Sequence, residues 1–180
     1  MQLRNGVYGP LIVLEPGEKH DPEHDQTFVF SIGKYDPFGF LLLVNGSPQP
    51  QPVELHTATR YRLRLINITS NSVDLRVRLS NQGAPVKWKL VAKDGADLPA
   101  AQLKSSDAEM GITVGETYDL EYRSDNAGMA DMVVGDPIFL PAGHDEVAVR
   151  RCEWRPSKTD AVNAENRKRC RCRKIKRKAH

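Results

Sequence analysis

The stretch Arg60-Tyr61-Arg62-Leu63-Arg64-Leu65-Ile66-Asn67 decides the fold. Tyr61, Leu63 and Leu65 alternate with Arg60, Arg62 and Arg64. Successive side chains of an extended chain point to opposite faces, so this segment makes a strand with one apolar and one charged face. A helix would scatter the same residues around its circumference. The pattern repeats on both sides. Toward the C-terminus, Leu75, Val77 and Leu79 alternate with Arg76 and Arg78, and Val86, Trp88 and Leu90 with Lys87 and Lys89. Met110, Ile112 and Val114 follow. Tyr118, Leu120 and Tyr122 then alternate with Asp119 and Glu121, and Met129 to Val134 is the last expected strand. Toward the N-terminus, Phe28, Phe30 and Ile32 alternate with Val29 and Ser31, and Leu41-Leu42-Leu43-Val44 runs into Asn45-Gly46.

The punctuation fits. Asn45-Gly46 and Asp94-Gly95 supply the positive φ values of tight turns. Gly115-Glu116 separates two strands able to pair as a hairpin. Twelve prolines and thirteen glycines interrupt any long helix. Short strands with turn signals at intervals of roughly 8–12 residues predict an all-β Greek-key sandwich or barrel.

The charge is split. Residues 150–180 hold 13 Lys/Arg against 3 Asp/Glu, a net of +10, while residues 1–149 hold 13 against 20, a net of −7. All three cysteines, Cys152, Cys170 and Cys172, lie in the basic part, so the body must rest on its apolar core without disulfides. Apolar residues beyond Val149 are too few to offset chain entropy, and residues 150–180 are expected to form a disordered basic tail. That tail reads either as a polyanion-binding or nuclear-localisation arm that neutralises phosphates, or as an end unrelated to the body. The Arg and Lys on the outward faces of the strands read as a solvated surface, because no aromatic cluster interleaves with them as a base-stacking platform requires. Met1 to Gly6 lack the apolar core of a secretory leader and no run is long enough for a membrane span, so the chain as written is expected in the cytoplasm.

Five segments in order carry a resemblance: Gly6-Val7-Tyr8-Gly9-Pro10-Leu11-Ile12-Val13, Leu43-Val44-Asn45-Gly46-Ser47-Pro48, Tyr61 to Asn67, Val91-Ala92-Lys93-Asp94-Gly95-Ala96-Asp97-Leu98-Pro99, and Ile112-Thr113-Val114-Gly115-Glu116-Thr117-Tyr118-Asp119. Together they resemble the laccase-like multicopper oxidases, which are built from cupredoxin (plastocyanin-like) domains. The order matches the end of the first domain and the whole of the second. The resemblance implies a remnant strand over 1–16 and a cupredoxin-like Greek-key β-sandwich over 17–149, ahead of the basic tail over 150–180 that the composition indicates. It also implies a parent reaction in which oxidation of a reducing substrate is coupled to reduction of dioxygen to water. The partners it implies are the parent's other cupredoxin domains, and the intact family is often periplasmic or secreted.

The family's coppers are held by H-x-H pairs in the first domain, and by H-x-x-H-x-H and H-C-H motifs in the third. Alternation in H-x-H puts both imidazoles on one face of a strand. The histidines here are His20, His24, His56, His144 and His180, and no two are separated by a single residue. No copper ligand, catalytic residue or cofactor site carries over. The expected reading is a fragment corresponding to the central, copper-free domain and inactive alone; the alternative is a binding module whose tail grips nucleic acid or another polyanion.

Other candidates are weaker. His20 and His24, with Asp21, Glu23 and Asp25, form an acidic loop able to bind adventitious metal. His56, at a strand start, and His144, beside Asp145 and Glu146, read as surface residues. Asp94 and Asp97 belong to turn chemistry between Gly95 and Pro99. Cys152, Cys170, Cys172 and His180 have the spacing C-x17-C-x-C-x7-H, which fits no standard zinc site. In the family the strand from Val7 to Leu14 pairs within the first domain. Here it is expected to lie exposed and to drive self-association through Val7, Leu11, Ile12, Val13 and Leu14.

Overall fold

The alternation around Leu63 becomes packing in the computed structural model, which describes residues 6–33, 41–69, 74–135 and 148–155. Among the described residues thirteen strands run in chain order: β1 (Asp25–Ile32), β2 (Leu42–Val44), β3 (Glu54–His56), β4 (Arg60–Asn67), β5 (Leu75–Asn81), β6 (Ala84–Pro85), β7 (Lys87–Lys93), β8 (Ala96–Asp97), β9 (Ser105–Asp107), β10 (Glu109–Ile112), β11 (Thr117–Arg123), β12 (Gly128–Gly135) and β13 (Ala148–Arg155). The first sheet has the order β2-β1-β4-β11-β7, with β8 and β9 both paired to β7. The second has the order β10-β5-β12-β13-β3, with β6 on β5. This is the expected all-β sandwich.

The core lies between the sheets. Tyr61, Leu63 and Leu65 of β4 and Leu120 and Tyr122 of β11 meet Leu75, Val77 and Leu79 of β5 and Ala130, Met132 and Val134 of β12. Each large side chain removed from water contributes roughly 1.5–3 kcal/mol. Strand β1 buries both of its faces. Phe28 and Phe30 enter the core, while Val29 and Ser31, on the other face, are only 4% and 3% exposed.

Two junctions are built by asparagines. Asn45 and Gly46 hold φ of +50° and +78°, and Val44 and Ser47 exchange backbone hydrogen bonds around them. This is the two-residue hairpin turn that Asn-Gly favours. Asn67, fully buried, donates from Nδ2 to the Ile112 carbonyl at 2.9 Å and so ties β4 of one sheet to β10 of the other.

Four sequence expectations change. Gly115-Glu116 does not join a hairpin, because β10 pairs with β5 in the second sheet while β11 pairs with β4 and β7 in the first. The turn is a corner between sheets, with the Glu116 carboxylate accepting from the Thr113 backbone N–H at 2.8 Å. Residues 7–14 form no strand among the described residues; the first begins at Asp25. Strand β12 is not the last. The expected boundary between body and tail at 149/150 falls inside β13, which pairs antiparallel with β12 and parallel with β3. Its residues are charged, but the open edges of two strands provide a ladder for its backbone. The remainder of the expected tail, from residue 156 onward, lies outside the described residues.

Candidate functional site

The outer face of the first sheet gathers several of the residues that sequence singled out, among them His20, Asp21, His24, Asp25 and Asp97. Antiparallel pairing sets Arg64 opposite Asp119 and Arg62 opposite Glu121. The parallel β1–β4 register brings Asp25 beside Arg62 at the start of β1. From these positions the side chains form a chain of ion pairs. Arg64 grips Asp25 in a fork, Nε to Oδ1 at 2.7 Å and Nη2 to Oδ2 at 2.6 Å. Its Nη1 reaches Asp119 at 2.8 Å, and Arg62 donates to the same carboxylate from Nε at 2.9 Å. Arg62 also lies 3.6 Å from Asp97. Planar two-point pairing of this kind is the strong form of the interaction. The Asp25 hydrogen bond raises the Arg64 pKa above its ordinary value.

Arg62 and Arg64, expected to be solvated, are therefore partly buried and partnered, while Arg60 and Arg76 stay exposed. The cover is the segment before β1. Tyr8 Oη lies 2.6 Å from Ser31 Oγ, which accounts for the burial of that outward serine. Leu14, Glu18, Lys19, His20, Asp21, His24 and Asp25 then line a cleft of about 570 Å³ over β4, β7 and β11. Arg60, Lys89, Leu98 and Glu121 complete it. Its lining mixes cations, carboxylates and leucines, so the face is a charged joint between sheet and crossing segment.

The candidate residues separate as follows. His24 Nδ1 lies 2.7 Å from Asp21 Oδ2, and this hydrogen bond holds the Asp21 carboxyl below its ordinary range. The same carboxylate accepts from the Glu23 backbone N–H. The His24 ring sits 5.5 Å from that of Tyr61, and Tyr61 Oη accepts from the His56 backbone N–H at 2.7 Å. His20 lines the cleft, and His56 closes β3 rather than opening a strand. Asp94, at φ +51°, accepts from the Thr117 backbone N–H at 2.9 Å, while Asp97 is exposed in β8. Cys152 falls in β13, and His144, Cys170, Cys172 and His180 lie outside the described residues.

The donor set does not fit copper of the family's kind. Asp21 is hydrogen-bonded to His24, Asp25 is engaged by Arg64, and no two histidines of the sequence stand one residue apart as H-x-H requires. Among the described residues no three His, Cys, Asp or Glu side chains are grouped to hold a metal ion. Sequence reasoning missed the Asp25–Arg64–Asp119–Arg62 chain. Half of its signal was legible, since arginines on β4 face acids on β11 once the two strands are paired; Asp25 enters only through the parallel pairing of β1.

No protein-family model and no curated protein matches the sequence. Solved structures do. One, a multicopper oxidase, superposes with a TM-score of 0.56 at 18% identity over 73% of this chain and 44% of its own. The laccase-like multi-copper oxidase CueO from the lignin-degrading bacterium Ochrobactrum sp., described as having oxidase activity towards lignin model compounds and lignosulfonate, gives 0.54 at 24% identity over 81% and 33%. Fet3p, a multicopper oxidase that functions in iron import, gives 0.54 at 14% identity over 88% and 31%. The chain thus spans less than half the length of each. Among the described residues no helix is long and apolar enough to cross a membrane. Identity at this level establishes architecture, and the chain carries the cupredoxin-like β-sandwich fold found in multicopper oxidases.

Proposed function

We propose that this chain is a scaffold domain of multicopper-oxidase type, equivalent to the central copper-free cupredoxin domain, with no oxidase activity of its own. The observation that carries the reading is a mismatch between fold and donors. The sandwich matches domains of copper enzymes, yet no two of the five histidines stand one residue apart. Its work is then packing. It presents surfaces to neighbouring cupredoxin domains, which would supply the copper ligands and the substrate site. The outward-facing Leu11 and Val13, 88% and 83% exposed, support a contact of that kind, and without those neighbours the same surface supports self-association. The test is to load the purified chain with copper(II) and assay a phenolic substrate. No stoichiometric copper and no oxidation are expected; an intense blue absorption band would overturn the reading.

A second reading rests on charge. Residues 156–180 hold 10 Lys/Arg against 2 Asp/Glu, a net of +8, which favours a polyanion-binding arm beginning after β13. Binding to duplex DNA that weakens with salt and disappears on removal of residues 156–180 is its signature. Equal binding by the shortened chain would count against it.

A further inference from the structure

The hairpin between β2 and Ser47 holds a chemistry that the scaffold role does not use. Asn45 precedes Gly46, and a residue without a side chain leaves its backbone nitrogen open to the amide carbon before it. Both residues are exposed to water. The Asn45 amide, however, is committed. Its Oδ1 accepts from the Val29 backbone N–H at 2.8 Å, and its Nδ2 donates to the Thr27 carbonyl at 2.9 Å. Its own backbone N–H donates to the Val29 carbonyl at 2.9 Å. The side chain thus continues the β1–β2 ladder past Phe30↔Val44, where β2 ends.

We propose that Asn45 is a fold-gated deamidation site, protected while the hairpin is clamped to β1 and altered irreversibly when it opens. In the reaction the Gly46 nitrogen attacks Asn45 Cγ. A new N–Cγ bond forms, the Cγ–Nδ2 bond breaks, and ammonia leaves with the proton from the Gly46 nitrogen. Water then opens the cyclic imide to aspartate or isoaspartate. No oxidant or metal is needed. Ring closure requires Cγ to swing onto Gly46, which breaks both amide hydrogen bonds to β1, so the reaction draws on the open hairpin alone.

The consequence runs one way. Aspartate at this position replaces the Nδ2 donor with a second acceptor, which faces the Thr27 carbonyl and cannot bond to it. Isoaspartate also lengthens the backbone of a turn whose two central residues already need positive φ. Either product loosens the edge of the first sheet, where β2 covers β1. Opening then becomes more frequent in the altered chain than in the original.

The test follows the peptide containing Asn45 by mass spectrometry during incubation of the full chain at neutral pH, with and without denaturing urea. Local opening gates the native reaction, so its rate should fall about tenfold or more below the unfolded rate. A native rate equal to or above the unfolded one overturns the proposal. In the Asn45→Asp chain, backbone hydrogen exchange at Val29 should speed up by about tenfold. Unchanged exchange there would overturn the loosening. Should that variant fail to fold, the comparison of the two wild-type rates still decides.

Discussion

Residues 11–14 and residues 148–155 make an instructive pair. Leu11-Ile12-Val13-Leu14 is an unbroken apolar run with strong strand preference, while Ala148-Val149-Arg150-Arg151-Cys152-Glu153-Trp154-Arg155 carries four charges in eight positions. The charged segment is a strand and the apolar one is not. The difference lies in partners. Segment 148–155 meets the backbone of β12 on one side and of β3 on the other, so its N–H and C=O groups enter two ladders. Segment 7–14 crosses the outer face of a sheet whose strands are already paired, and it is held through side chains. A strand is made by a neighbouring edge, and propensity only ranks the segments that find one.

The largest effect is expected from cutting the chain on either side of Arg155. A chain ending at residue 155 should unfold in urea at nearly the same midpoint as the full chain. One ending at residue 149 should lose about 3 kcal/mol or more, because β3 loses the one strand it pairs with among the described residues and β12 an edge of its ladder. Equal midpoints would return β13 to the tail. Next comes the anchor of the crossing segment. Arg64→Met leaves Asp25 and Asp119, both largely buried, without their shared cation. A loss of about 2 kcal/mol is expected from urea denaturation. No loss would mean that the ion chain follows the packing rather than holding it.

Removing residues 1–15 is milder. The Tyr8–Ser31 hydrogen bond and the Leu14 contact go, at a cost of about 1–2 kcal/mol. Exposed Leu11 and Val13 go with them, so sedimentation should show the shortened chain nearer to monomer. Unchanged association would free this segment of blame. The smallest effect is on acid stability. Pairing with His24 lowers the Asp21 pKa in the folded chain, so its contribution is present above the ordinary value of 3.8 and is lost as pH falls through the folded one. Asp21→Asn should flatten that part of the stability curve slightly, and an identical acid limb would show that the pair holds nothing.

Much of the sandwich was readable. Strand β4 follows the alternation of Tyr61, Leu63 and Leu65 residue for residue, and Asn45-Gly46 and Asp94-Gly95 turn where their φ preferences place them. The lack of paired histidines was equally plain, since spacing is a property of the chain. The Gly115-Glu116 corner was not, because a hairpin and a passage between sheets ask the same of a glycine.

Periodicity and turn chemistry are local, so the sequence by itself determined that this is an all-β body with an apolar inner face and without paired copper donors. Which strands pair, that arginines on one face join Asp25 in a half-buried chain of charges, and that a charged segment completes the second sheet were decided only by tertiary structure. These depend on backbone groups and carboxylates meeting across long sequence separations, and nothing in the local pattern of either partner records the meeting.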